Sequence, residues 1–165
     1  MIEILNYRPQ IELSMKAITC IEDLRVLHER RVPRMFYDYA ESGSWSESTF
    51  RRNSEAFAEI QLRQRVAMDI SQRSIAGQML GQSWTMPVAL APTGLTGMQH
   101  ANGEILAAQA AEDFGVPFTL STMSICSIED VAAQTQKPFW FQLYVMKDRE
   151  FISALIQRAK AANCS

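Results

Sequence analysis

The sequence predicts an α/β fold built on parallel strands, and three observations predict it. Pro87, Pro117 and Pro138 each open a short apolar run, at 88–91, 118–120 and 139–145. Polar residues, Pro92-Thr93, Ser121-Thr122 and Gln142 with Tyr144, lie at or near the carboxyl ends of these runs. A helical pattern then follows each run, over 103–114, from Ser127 onward, and over 149–162. Strands joined through helices of this length must lie parallel, with right-handed crossovers. Strict alternation of short strands and helices is the mark of the α/β class.

The organising stretch is 86–98, Met-Pro-Val-Ala-Leu-Ala-Pro-Thr-Gly-Leu-Thr-Gly-Met. Its apolar run is too short for a helix and has the continuous apolarity of a strand buried on both faces. Pro92 removes a backbone donor, while Gly94 and Gly97 permit a turn and a close approach of backbone to whatever lies above. Ligands of α/β proteins bind at the carboxyl ends of such strands. A plain strand-to-helix turn fits this stretch alone equally well.

Composition sets the outer bounds. The chain has 165 residues, 47% hydrophobic and 21% charged, with a net charge of -2, enough apolar content for a genuine core. Arg and Lys are interleaved with acids and form no basic stripe, which argues against a nucleic-acid partner. No apolar segment approaches the roughly 18 residues needed to span a bilayer, and no signal-peptide core is seen. Cys20, Cys126 and Cys164 are odd in number and widely spaced, so they read as reduced thiols and not as a disulfide frame or zinc site. With only His28 and His100 available, metal and general-base chemistry from this stretch has little to draw on. No metal site is expected.

Before the strands, residues 1 to about 18 read as a lead-in. Thr19 and Glu22 fit a capping box that starts a first helix ending near Val32-Pro33, with His28 at the edge of its apolar face. Pro33 opens a second helix over 34–41, closed by Ser42-Gly43. Phe36 and Tyr39 share a side of it while Tyr37 points elsewhere. The aromatic residues either pack in a core or present one phenol to a site, and spacing leaves both open. A third helix is expected over 46–60, then an extended connector, then a strand over 75–80 with a turn at Gly81-Gln82. His100 is read as opening the 103–114 helix.

The chemistry is expected at the strand ends. Gln142 and Tyr144 sit at i,i+2 on the third run and would project to one side of the sheet. An unpartnered buried glutamine costs about 1–3 kcal/mol, so Gln142 calls for a partner, either neighbouring backbone or a ligand. Its donor and acceptor together suit the alternating edge of a heterocycle.

Five motifs carry a resemblance. Tyr-Asp-Tyr-Ala-Glu-Ser-Gly (37–43), Ala-Pro-Thr-Gly-Leu-Thr-Gly-Met (91–98), His-Ala-Asn-Gly-Glu (100–104), Leu-Ser-Thr-Met-Ser (120–124) and Phe-Gln-Leu-Tyr-Val-Met-Lys-Asp-Arg (141–149) stand in order along the chain. From about Thr19 to Ser165 the sequence resembles the FMN-dependent 2-hydroxy-acid dehydrogenase and oxidase family, most of all its bacterial L-lactate dehydrogenase branch. The resemblance implies the N-terminal part of a (β/α)8 TIM barrel, about three βα units, preceded by a helical segment. Residues 1–80 would form that segment and the lead-in, and 81–165 the first barrel units. A closed eightfold barrel takes about 250 residues. The chain is therefore expected to be the front part of a longer protein.

The resemblance implies FMN as cofactor, held by Pro92, Thr93, Gly94, Ser121 and Gln142. It implies Tyr39 at the substrate carboxylate and Tyr144, substrate-binding and catalytic, beside the carbon bearing the hydroxyl. The implied reaction oxidises an L-2-hydroxy acid, L-lactate foremost, to the 2-oxo acid. The electron acceptor would be a quinone, a cytochrome or oxygen, and the full-length protein a homo-oligomer. The implied location is the cytoplasm, or the periphery of the inner membrane. Gly94 stands where glycolate oxidases carry alanine, leaving room at the ring, and Met123 stands where they carry tryptophan, which puts the substrate side-chain pocket in question. The histidine base, arginine clamp and lysine of the family would lie past Ser165. The alternative is a truncated, non-catalytic chain acting at most by association with a partner; another phosphate-binding barrel is a third reading.

Overall fold

The computed structural model describes residues 18–165, so the lead-in assigned to residues 1 to about 18 lies outside the described residues but for Ile18. Three helices come first: α1 (Ile21–Arg31), α2 (Arg34–Glu41) and α3 (Ser48–Ala58). The start of α1 differs by one residue from the expected capping box. Cys20 is the N-cap, and it is the Asp23 carboxylate, not Glu22, that accepts from the Thr19 and Cys20 amides at 2.8 and 3.2 Å. Glu22 instead pairs with Arg25. A carboxylate three residues past the cap reaches back to the free amides of the first turn, and Asp23 holds that place.

Helix α1 lies against α2 through polar and aromatic contacts. Arg25 Nη1 donates to the Tyr37 hydroxyl at 2.9 Å, and the His28 and Tyr37 rings lie 5.2 Å apart. Both helices are then tied to the strand-end region. His28 Nε2 meets Gln99 Oε1 at 2.7 Å, and Gln99 Nε2 donates to the Phe36 carbonyl at 3.2 Å.

A hairpin follows, β1 (Gly77–Met79) paired antiparallel with β2 (Gln82–Trp84). Only the first of these strands was expected. Leu80 and Gly81 both have positive φ, at 51° and 77°, which matches the twist a two-residue hairpin turn requires. The expected division at 80/81 falls inside this turn.

The parallel segments lie side by side in chain order. Leu90 forms a single bridge to Phe118, with its amide donating to the Pro117 carbonyl and its carbonyl accepting from Thr119. Then β3 (Thr119–Ser121) pairs parallel with β4 (Trp140–Gln142), Ser121 opposite Gln142. The first run is shorter and more open than a strand buried on both faces: Val88 is 51% and Leu90 37% exposed. Two prolines lacking N–H groups bracket it, and among the described residues only the Phe118 segment flanks it. The third run is likewise shorter than 139–145, ending at Gln142.

Helices α4 (Thr96–Gln99), α5 (Gly103–Phe114), α6 (Ile128–Ala133) and α7 (Arg149–Ala161) follow or separate these segments. The short α4 was not expected, and His100 closes it instead of opening α5. Gly115, in the left-handed region at φ 72°, ends α5, and Ser127 caps α6 with its hydroxyl accepting from the Asp130 amide. Ala108 and Ala111 of α5, Ile128 and Val131 of α6 and Ala159 of α7 pack on Phe118, Leu120 and Phe139 in one core, with Phe141 against it. Alternation along a strand then sets the opposite face, where Thr119, Ser121, Trp140 and Gln142 lie. Trp140 packs edge-on against Trp84 of the hairpin, centroids 6.3 Å apart. The described residues thus form an open parallel arrangement, helix-covered on one face, with polar side chains on the other. At the far end, the Ser165 amide donates to the Phe139 carbonyl at 3.0 Å.

Candidate cofactor site at the strand ends

Parallel register brings Ser121 and Gln142 together. The Ser121 hydroxyl donates to Gln142 Oε1 at 3.2 Å and accepts from the Met123 amide at 3.1 Å. Gln142 Oε1 also accepts from the Thr122 amide at 3.2 Å. The acceptor half of the Gln142 amide is therefore committed to protein. Its Nε2 makes no hydrogen bond among the described residues, and Gln142 is only partly buried, so its two amide donors are left uncommitted at the strand end.

Gly94 comes next to this pair. A Cβ placed there would meet Met123 Cβ at 3.1 Å and Ser121 Oγ at 3.8 Å, and the Leu95 amide donates to the Met123 carbonyl at 2.9 Å. The room left by Gly94 thus lies against Met123 and Ser121, so positions 94 and 123 are packed on one another. Thr93 and Ser121 line one cleft with Leu90, Thr96 and Glu104. Pro92 is exposed beside Thr93.

The two tyrosines are placed differently. Tyr39 is 68% exposed on α2, which reaches the strand ends through the Gln99 contacts. Tyr37 is the residue engaged with Arg25 and His28. Tyr144 lies two residues past β4 and so does not share a strand face with Gln142; it is 53% exposed. Its position is set instead by backbone, its amide donating to Thr122 Oγ1 at 3.1 Å. Thr122 Oγ1 in turn donates to the Gln142 carbonyl, which locks the end of β4 to the turn after β3.

Two residues were missed in the sequence. Thr122 was visible only as the tail of Ser-Thr. Glu104 stands in the first turn of α5 and is 2% exposed. Burial raises the proton affinity of its carboxyl. The amides of Ile125, Gly97 and Glu104 itself and the Cys126 thiol outweigh that and hold it below the ordinary carboxylate range. No sequence pattern distinguishes a buried first-turn glutamate from one that merely favours the helix dipole. Among the described residues no group of three His, Cys, Asp or Glu is placed to hold a metal, and no helix is long and apolar enough to cross a membrane.

Ser121 and Gln142 paired across parallel strand ends, with a glycine at the adjoining turn, mark the end of an α/β protein where ligands of that class bind. Residues 28–165 match the FMN-dependent dehydrogenase family model, and the chain belongs to that family, whose cofactor is FMN. It is 50% identical over 148 residues to the L-lactate dehydrogenase of Actinobacillus pleuropneumoniae serotype 5b (strain L20), covering 90% of this chain and 39% of that protein. Among solved structures it is similar to a soluble mutant of the membrane-associated (S)-mandelate dehydrogenase from Pseudomonas putida, with TM-score 0.81 and 38% identity, covering 86% of this chain and 40% of that one. It is also similar to mandelate oxidase, with TM-score 0.80 and 30% identity over 87% of this chain and 42% of that one. The chain therefore spans about two fifths of the length of the relatives it matches.

Proposed function

We propose that this chain supplies the first βα units of a (β/α)8 barrel that binds FMN over its strand ends and oxidises an L-2-hydroxy acid, L-lactate foremost, to the 2-oxo acid. Within it, residues 1–80 are the helical segment and lead-in, and 81–165 the beginning of the barrel. The observation that carries this reading is the Ser121–Gln142 pair, whose amide donors are uncommitted among the described residues, with Gly94 packed beside Ser121. The donor set fits the acceptor-bearing edge of a flavin. Gln142 and Ser121 would hold that polar edge, and the backbone at Pro92, Thr93 and Gly94 would lie along the ring.

FMN, when bound, supplies the two-electron acceptor. The residues of this chain position and orient. Tyr39, on a helix tied to the strand ends by Gln99, would offer its hydroxyl to the substrate carboxylate. Tyr144, held by Thr122, would stand beside the reacting carbon and fix its approach. The Met123 side chain, packed beside Gly94, would border the substrate's own side chain. Similarity to a membrane-associated relative supports a peripheral place at a membrane for the whole protein. A homo-oligomer passing electrons to a quinone, cytochrome or oxygen completes the proposal.

The test is anaerobic addition of L-lactate to the flavin-loaded whole protein to which this chain would contribute its first βα units. Loss of the oxidised flavin's visible absorption, with pyruvate formed in equal amount, is the expected result. A flavin that stays oxidised with every short L-2-hydroxy acid would overturn the assigned reaction.

A further inference from the structure

Two loops carry the groups assigned to the flavin. One runs from Thr93 through Gly97, the other from Ser121 through Ile125. A single buried side chain joins them from behind. Glu104 Oε1 accepts from the Gly97 amide at 3.0 Å and from the Ile125 amide at 2.9 Å. The loops are packed tightly at that point, where a Cβ on Gly97 would meet Ile125 Cβ at 2.6 Å and Glu104 Oε2 at 3.1 Å. Oε2 itself is buried with no N–H or O–H donor among the described residues, the Cys126 thiol being the one further group that favours the carboxylate.

Burying a carboxylate with one oxygen lacking an N–H or O–H donor is costly, and helix stability does not call for it. Of the side chains that could occupy this place, few reach both amides with one acceptor atom. Glu104 also lines the cleft shared by Thr93 and Ser121. We propose that Glu104 is a positioning residue for the flavin: by holding Gly97 and Ile125 on one oxygen, it sets the separation of the two loops on which the ring rests. It touches neither ring nor substrate, and acts through Gly94, Ser121 and Met123. This inference rests on the flavin site proposed above.

The experiment titrates FMN into the apoprotein and records the visible circular dichroism of the bound flavin, with hydrogen exchange at the loop amides. Glu104→Ala removes the acceptor and is expected to weaken FMN about tenfold, roughly 1.4 kcal/mol. It should also alter the flavin dichroism and speed exchange at Gly97 and Ile125. Glu104→Gln keeps an acceptor in the same shape and should restore wild-type dichroism, with affinity within about threefold. A Glu104→Ala protein that binds FMN within about twofold of wild type with unchanged dichroism overturns the proposal, as does a Glu104→Gln protein equally impaired. Should Glu104→Ala not fold, Glu104→Asp, one methylene shorter, is expected to loosen FMN and change its dichroism, and unchanged binding overturns the proposal equally. A wild-type protein that binds no FMN sinks the flavin reading and this inference with it. Indifferent variants of a flavin-binding wild type sink this inference alone.

Discussion

Replacing Gly97 by alanine adds one methyl group at the tightest point between the two site loops. That methyl would lie 2.6 Å from Ile125 Cβ and 2.9 Å from its Cγ2, against the roughly 3.5–4.0 Å of relaxed carbon contacts. Ile125 Cβ is fixed to its backbone, so a rotamer change cannot clear it. One loop has to move by close to an ångström, which strains the Glu104 bonds to both amides. Overpacking of this kind costs about 1–3 kcal/mol. At roughly 2–4 °C per kcal/mol for a chain of this size, Tm falls by roughly 2–12 °C. Thermal or urea unfolding of Gly97→Ala, Ile125→Gly and the double variant isolates the cause. Removing the Ile125 side chain takes away the clashing atoms, so the double variant should recover about 1 kcal/mol relative to additivity. A Gly97→Ala protein that unfolds at the wild-type midpoint, or strict additivity of the two changes, would refute the close approach.

Other outcomes follow from the same geometry. Leu120 is fully buried between β3 and the helices, and Leu120→Ala should cost about 2–5 kcal/mol in urea unfolding; a loss under about 1 kcal/mol would contradict the packing. Acid should destabilise the fold. The Arg158 guanidinium, bonded to Glu129 at 2.7 Å through both oxygens, pulls that carboxyl from 4.5 down to about 2. A carboxyl with a lowered folded-state pKa contributes stability above its unfolded value and loses it as pH falls through the folded one. The Glu129 share is therefore lost between about 4.5 and about 2; because the pair is half-exposed it amounts to no more than about 1 kcal/mol. Glu104 has the same sign. The urea midpoint should drop on acidification, less steeply in Arg158→Gln, and a midpoint that rises would contradict both assignments.

What was legible in the sequence was whatever local chemistry decides. The bounds of α2 and α5, the Gly115 stop and the Ser127 cap follow from proline, glycine and hydroxyl residues acting on their own backbone. Strand lengths were not legible, because apolar residues continue past the point where pairing ends. The run from Phe139 to Val145 reads as one strand, yet β4 stops at Gln142, where Thr122 takes over the hydrogen bonds of the departing chain. Tyr144 left the sheet for that reason. The places of Thr93, Ser121 and Gln142 at successive strand ends were legible from the three runs, whereas the shared face expected of Gln142 and Tyr144 was not kept. Glu104 was hidden, since its partners lie seven and twenty-one residues away and nothing local reports its burial.

The most direct measurement is FMN titration followed by flavin fluorescence, comparing wild type with Gln142→Leu, which keeps the bulk and removes the amide. The account predicts stoichiometric binding by wild type and affinity weaker by about tenfold or more in the variant, the scale of one or two lost hydrogen bonds in a desolvated site. Equal FMN affinity in the two proteins, or none in either, would contradict it.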